Sequence, residues 1–260
     1  MGGLIRLARN ARKTPPSYSR HGGSRRAAPG QVTEPKPPIR VLLVDNSLTF
    51  RDGLELAIMQ TKTLRIAGRA RSAGELFEHG TVVAADIALV DIDLPDQSGF
   101  EVCQRLLHAN PKMNAVLIGY SDWDIYLLAA QTVHACGLLL RSQTTLELIA
   151  ALEKVASGSI FSQEQIQRIQ IWRNTTGTKL KSLGRREWQV LQLLSLGQSN
   201  REMAQHLSVT ENTVEKHVSN ILQKLELATR AMMIVFIFTH HLDGLSRLPH
   251  GDRFLMMLAN

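Results

Sequence analysis

The chain of 260 residues has only two cysteines, Cys103 and Cys136. Each stands among apolar residues in a helix-like stretch, so buried reduced thiols are expected in place of a disulfide framework, and with them a reducing compartment. Long apolar runs are missing as well. The longest, Ala231–Phe238, has eight residues, against the roughly 18 that a membrane span requires. Arg6, Arg9, Arg12 and Lys13 interrupt the apolar core that a secretory leader would need, which leaves the cytoplasm as the expected location. No Cys and His set has metal-ligand spacing, His240-His241 and His250 being too sparse. No glycine cluster follows a strand as a phosphate-binding loop would. The scattered Ser, His and Asp residues form no nucleophile motif, so an enzyme is not expected, nor a tightly held cofactor.

With 44% apolar residues there is enough to build a core in each of two ordinary domains. The formal charge of +7 is unevenly spread. Residues 1–38 hold eight Lys/Arg and one acid, residues 39–156 hold ten and fourteen, and residues 178–240 hold eight and five. Most of the excess therefore lies in the first segment, and the isoelectric point alone is weak evidence for a nucleic-acid partner.

Residues 1–38, rich in Pro, Gly, Ser and Arg and without apolar period, read as a disordered basic extension. It is a phosphate-attracting arm, a solvated segment or a consequence of a start codon assigned too far upstream. From Ile39 the pattern changes. Ile39–Val44, Leu64–Ala67, Ile87–Val90, Ala115–Ile118 and Leu138–Leu140 read as buried strands, and Leu48–Gln60, Ala73–His79, Phe100–His108, Trp123–Cys136 and Leu146–Ala156 as helices. Five βα units over 39–156 predict a doubly wound parallel sheet covered on both faces. In such sheets the carboxyl ends of the strands form the site, and here they carry Asp45-Asn46, Asp91, Gly119 and Arg141. Residues 157–178 read as a linker holding a short helix, Gln163–Trp172. An all-α domain of four helices is expected over 179–242, from Gly184–Leu196, Asn200–Leu207, Glu211–Leu225 and Thr229–His241, with a tail over 243–260.

Ser199-Asn200-Arg201-Glu202 forms a capping box that starts one of these helices sharply. Ser208-Val209-Thr210 turns the chain into the next, with Thr210 as N-cap. In that helix Val214, Val218, Ile221, Leu222 and Leu225 build one apolar face, while Asn212, Glu215, Lys216, Ser219 and Gln223 occupy the other. A polar face beginning at a helix N-terminus suits entry into the major groove of DNA. An ordinary amphipathic helix would show the same period.

Leu183-Gly184-Arg185-Arg186-Glu187, Gly197, Asn200, Met203-Ala204, Leu207, Thr210–Val218 and Ile221–Leu225 together resemble the LuxR-type helix-turn-helix of the NarL/FixJ family of response regulators. The resemblance implies that Glu211–Leu225 is the recognition helix, with Ser199, Asn200, Thr210, Asn212, Thr213, Glu215, Lys216, Ser219, Asn220 and Gln223 at the surface facing double-stranded promoter DNA. It implies further that the last helix pairs two copies into a homodimer. Ala231–Phe238, apolar on more than one side, suits that role and equally suits a fully buried terminal helix of a monomer. Two positions depart from the family. Gly184 replaces the usual Ser or Thr cap, which weakens it by about a few tenths of a kcal/mol. Glu215 replaces a frequent Lys, exchanging a phosphate contact for an acceptor suited to cytosine N4.

Leu89–Pro95 followed by Ser98–Val102 resembles the phosphoacceptor strand and loop of a receiver domain, and by that resemblance Asp91 is the phosphoacceptor candidate, fed by a histidine kinase. Aspartyl phosphorylation needs Mg2+, a cation and a hydroxyl around the phosphoryl group. Asp45 and Asp91 are the candidate metal ligands, but Asn46 stands where a second acid belongs and weakens the site for a hard cation. Gly119 replaces the hydroxyl residue. Arg141 replaces a Lys, keeping the charge in a different shape, and the aromatic switch position is aliphatic, Leu138. Two readings follow: a phosphorylated receiver with a degraded pocket, helped by Asp93, or a pseudo-receiver kept for dimerisation or for binding a protein or small ligand. The second is favoured. A C-terminal domain that binds protein instead of DNA is the remaining alternative.

Overall fold

The apolar runs separated by amphipathic stretches assemble as their periods require. A computed structural model describes residues 37–78 and 84–243. The basic extension expected over 1–38, except its last two residues, lies outside them, as do His79, His250 and the tail beyond Asp243. Five strands, β1 (Ile39–Val44), β2 (Leu64–Ala70), β3 (Ile87–Asp91), β4 (Asn114–Gly119) and β5 (Gly137–Leu140), form one parallel sheet in the order β2-β1-β3-β4-β5. Crossover helices α1 (Leu48–Met59), α2 (Ala73–Glu78), α3 (Gly99–Ala109), α4 (Asp124–Thr132) and α5 (Thr145–Val155) cover both faces. Val41, Leu43, Ile87, Leu89, Val116 and Ile118 pack toward Leu54, Ile58, Leu148 and Leu152 of α1 and α5. Leu42, Val44, Ala88, Val90 and Leu117 pack toward the residues of α2, α3 and α4. This alternation within each strand is what burial on two faces demands.

Several boundaries differ from the sequence reading. Strand β2 runs on to Ala70, because the register shifts between Val41 and Leu42 and an extra residue is absorbed before pairing resumes at Gly68. Helix α4 starts after Trp123 and stops at Thr132, since His134 takes a left-handed φ of 60°. Cys103 is buried on α3, but Cys136 consequently sits past the end of α4, half-buried and outside any helix.

The segment expected as a linker is helical from Gln163 onward. Helix α6 (Gln163–Trp172), capped by Ser162, has the predicted bounds, yet it continues through a π-helical turn (Arg173–Gly177) into α7 (Thr178–Lys181). Burial explains the continuation: Thr176 and Gly177 lie inside, and a Cβ at Gly177 would stand 3.2 Å from the Trp172 ring.

Four helices complete the fold, α8 (Arg185–Ser195), α9 (Asn200–Leu207), α10 (Glu211–Leu225) and α11 (Arg230–Thr239). They enclose Trp188, Leu191, Met203, Val214, Ile221, Met233 and Ile237. Among the described residues no helix is long and apolar enough to cross a membrane.

Candidate functional site

Two places on the molecule gather polar side chains with chemical potential. The first is at the carboxyl end of the sheet, where β1, β3 and β5 deliver Asp45, Asp91 and Arg141. All three side chains are nearly inaccessible, at 4%, 2% and 7% exposure. A single guanidinium nitrogen, Nη2 of Arg141, lies 2.5 Å from Oδ2 of Asp45 and 2.7 Å from Oδ2 of Asp91. The other carboxylate oxygens accept backbone N–H groups, from Ser47 at 2.8 Å and from Asp93 at 3.1 Å. Burial pushes both carboxyls above the ordinary aspartate value, and these N–H donors and Arg141 pull against it without prevailing. The Phe50 and Tyr120 rings flank the guanidinium at 4.6 and 5.2 Å from its carbon. Arg51 adds a bond to the Asp45 carbonyl.

The remaining candidates stand around this trio. Asn46 brings its amide to 3.5 Å from the carbonyl of Asp93, which pairs in turn with Ser98 through an isolated bridge. Gly119 ends β4, and its carbonyl accepts the N–H of Arg141 at 2.8 Å. The space above Gly119 is filled: a Cβ there would stand 2.5 Å from Cδ1 of Ile92, itself 2% exposed. Any side chain here would force the buried Ile92 to shift. Substituting Gly119→Ser to supply the missing hydroxyl is therefore expected to cost about 1–3 kcal/mol by overpacking, and adding Ile92→Ala to recover part of it, as read by urea denaturation. A serine variant as stable as the parent would contradict this packing.

Neither Ile92 nor the two aromatic rings were singled out from sequence. An apolar residue following a strand carries no signal of which strand end it will cover. Among the described residues no three His, Cys, Asp or Glu side chains gather in a metal-holding arrangement. With Arg141 bonded to the inner oxygens of both carboxylates, a divalent cation would meet an existing positive charge. The residues present do not fit Mg2+ in this arrangement.

The second place is the outward face of α10. Ser199 accepts from the N–H of Glu202, whose carboxylate accepts the Ser199 N–H at 2.7 Å, so α9 starts where expected. Ser208 at φ 55° ends it, and Thr210 caps α10 by accepting the Thr213 N–H at 3.2 Å. Val214, Val218, Ile221 and Leu225 are buried, while Leu222 is only partly so. Ser199, Thr210, Asn212, Glu215, Lys216, Ser219 and Gln223 are exposed, and Asn200, Thr213 and Asn220 are half-buried. Besides the capping Ser199, four of these ten are engaged internally. Asn200 accepts from Arg230 at 2.7 Å, the Thr213 and Thr210 hydroxyls share a hydrogen bond, and the Ser219 hydroxyl donates to the Glu215 carbonyl. Arg230 also donates to the Gln198 carbonyl at 3.0 Å, tying the start of α11 to the turn before α9.

Helix α11 is not fully buried. Met233 and Ile237 are wholly inside, yet Met232, Val235 and Phe238 stay 49%, 63% and 51% exposed. This apolar face is uncovered in the single chain. Gly184 caps α8 without a side chain, its N–H donating to Glu187 at 2.7 Å; Glu187 also pairs with Lys224 and is held below the usual carboxylate range, burial being outweighed by Lys224 and the Gly184 N–H.

Comparison with known proteins agrees with this architecture. Residues 41–153 match the family described as response regulator receiver domain, and residues 181–237 match bacterial regulatory proteins, luxR family. The transcriptional regulatory protein MctR of Rhizobium johnstonii is 31% identical over 79% of this chain and 95% of its own. DegU of Brevibacillus brevis, a transcriptional regulatory protein, is 28% identical over 79% and 94%. The nitrate/nitrite response regulator protein NarL of Escherichia coli is 26% identical over 77% and 95%. The solved structure of RcsB from Salmonella enterica serovar Typhimurium shares the fold, with a TM-score of 0.52 at 17% identity over 76% of this chain and 98% of that one. The chain belongs to the NarL/FixJ-type response regulators, DNA-binding transcriptional regulators in which a receiver domain precedes a luxR-type helix-turn-helix.

Proposed function

We propose that the protein reads promoter DNA as a homodimer through α10, and that its receiver-like domain regulates this binding without the usual phosphorylation switch. The uncovered polar face of α10, starting at a capped helix N-terminus, is the observation that carries the first part. The positive helix end favours a phosphate, and Asn212, Glu215, Lys216 and Gln223 extend into the solvent where base edges would lie. Glu215 is assigned to a cytosine amino group, and Lys216 to a phosphate or a guanine. The bare side of α11 is assigned to pairing with a second copy. The protein acts by binding and carries out no reaction of its own.

The second part rests on Arg141. In a working receiver Asp91 must be free to attack a phosphoryl group with a cation beside it. Here the carboxylate is bonded to a guanidinium that belongs to the fold, and the place of the hydroxyl is filled by Ile92. Input then comes through a protein or small ligand, or through dimerisation, and not from a histidine kinase. Incubation with a small phosphodonor and Mg2+ tests this part: no label on Asp91 is expected, and stoichiometric labelling lost in Asp91→Ala would restore the kinase-driven reading.

For DNA, binding measured across a salt series checks the assignment. The Lys216→Ala variant is expected to lose affinity at low salt and to flatten the slope of log affinity against log salt by about one ion. An unchanged slope would remove Lys216 from the phosphate contacts. Indifference of the parent to duplex at every salt concentration would favour a protein partner for this domain.

A further inference from the structure

Helix α4 is apolar on every side. Ile125, Tyr126, Leu127, Leu128, Ala129 and Ala130 are all buried, although a helix covering a sheet needs one apolar stripe. The second cover is the chain's own α6, which lies against α4. Ile169 and Trp172 of α6 belong to an apolar cluster that runs from Val90 and Leu117 of the sheet through Leu180 to Trp188, Met233 and Ile237. The receiver core and the helix-turn-helix core are continuous.

Polar contacts close over this seam at the loop between β4 and α4. Arg168 donates from Nη1 to Oδ2 of Asp122 at 2.7 Å, from Nη2 to the Asp122 carbonyl at 2.7 Å, and from Nε to Oδ1 of Asp124 at 2.8 Å. Between those two acids, Trp123 lies parallel to the ring of His241, centroids 4.0 Å apart and planes 5° from coplanar. His240 places Nδ1 3.3 Å from the hydroxyl of Thr176 in the π-helical turn. His240 and His241 directly follow α11. The same loop begins at Gly119 and Tyr120, against Arg141.

We propose that this clasp joins the receiver-like domain, the linker helix and the helix-turn-helix into one cooperative folding unit. It grips the C-terminal end of α11 and leaves both the polar face of α10 and the apolar face of α11 uncovered. In its DNA arm the inference rests on the reading above. A ligand that stabilises one part of a cooperative unit stabilises all of it, so a duplex at α10 is felt at the sheet.

Calorimetry of the full chain tests this, with and without a mixed-sequence 30-base-pair duplex at low salt. The parent is expected to show a single transition that moves upward as a whole with duplex. The double variant Arg168→Ala, Trp123→Ala is expected to show two transitions separated by more than about 5 °C, with only the one from the C-terminal helices moved by duplex. Arg168→Gln with Trp123→Phe, which removes less packing volume than the alanines, is to be measured alongside and should weaken the coupling even if the larger truncation unfolds the chain. Two transitions in the parent, or a single transition retained in both variants, would overturn the clasp. A duplex that moves no transition in any of the proteins would count against DNA binding alone, because the number of transitions is read without DNA.

Discussion

Replacing Arg141 with alanine is expected to lower the thermal midpoint of the protein by about 10 °C at neutral pH. The guanidinium is the partner that Asp45 and Asp91 share, with both carboxylates less than 5% exposed. Removing one partner of a buried pair leaves uncompensated charge in a poor solvent, which costs about 3–5 kcal/mol. In a cooperative unit of this size one kcal/mol moves the midpoint by roughly 2–4 °C. Lysine should recover only part of the loss, because a compact ammonium on a shorter stem gives up the guanidinium's contact with the Phe50 and Tyr120 rings. The alanine variant also removes the resident cation from between the acids, so Mg2+ should raise its midpoint while leaving the parent's unchanged. A midpoint within a degree or two of the parent's would show that the trio does not hold the strand ends together.

The second large effect concerns α11. Val235→Glu is expected to convert a dimer into a monomer in sizing experiments, and to lower affinity for a duplex with two half-sites by at least about 100-fold. Val235 is 63% exposed in the single chain, so the substitution should leave the monomer's stability within about half a kcal/mol. In a two-fold pair the same position occurs twice at the seam. Each copy would then bury a carboxylate without a partner, at several kcal/mol per ion, and every 1.4 kcal/mol is a factor of ten in affinity. Unchanged dimerisation in the variant would move the pairing surface elsewhere on the molecule.

The order of elements and the polar side of α10 were legible because both depend on residues near one another in the chain. Alternating apolar runs predict strands, four-residue apolar recurrence predicts helices, and Ser199, Thr210 and their partners three residues on predict where helices start. The continuation of the linker helix past Trp172 was not legible, for the opposite reason. Residues 173–181 contain Thr, Gly and Lys in no helical period, and their helix goes with burial of Gly177 against Trp172 and of Thr176, bonded to His240 far along the chain. The two-sided apolar character of α4 was likewise in plain view, but what covers its second side, α6, lies some 40 residues onward.

Short-range chemistry thus settled the fold class, the helix caps and which residues of α10 face outward, since each follows from contacts within a few positions. The pocket is another matter. Asp45 and Arg141 are 96 residues apart, and the departures at Asn46, Gly119 and Arg141 said only that parts were missing. That the guanidinium bridges both carboxylates, and that Ile92 fills the room above Gly119, depends on how three strand ends are set side by side. Sheet packing alone brings such groups within bonding distance, and no local pattern encodes it.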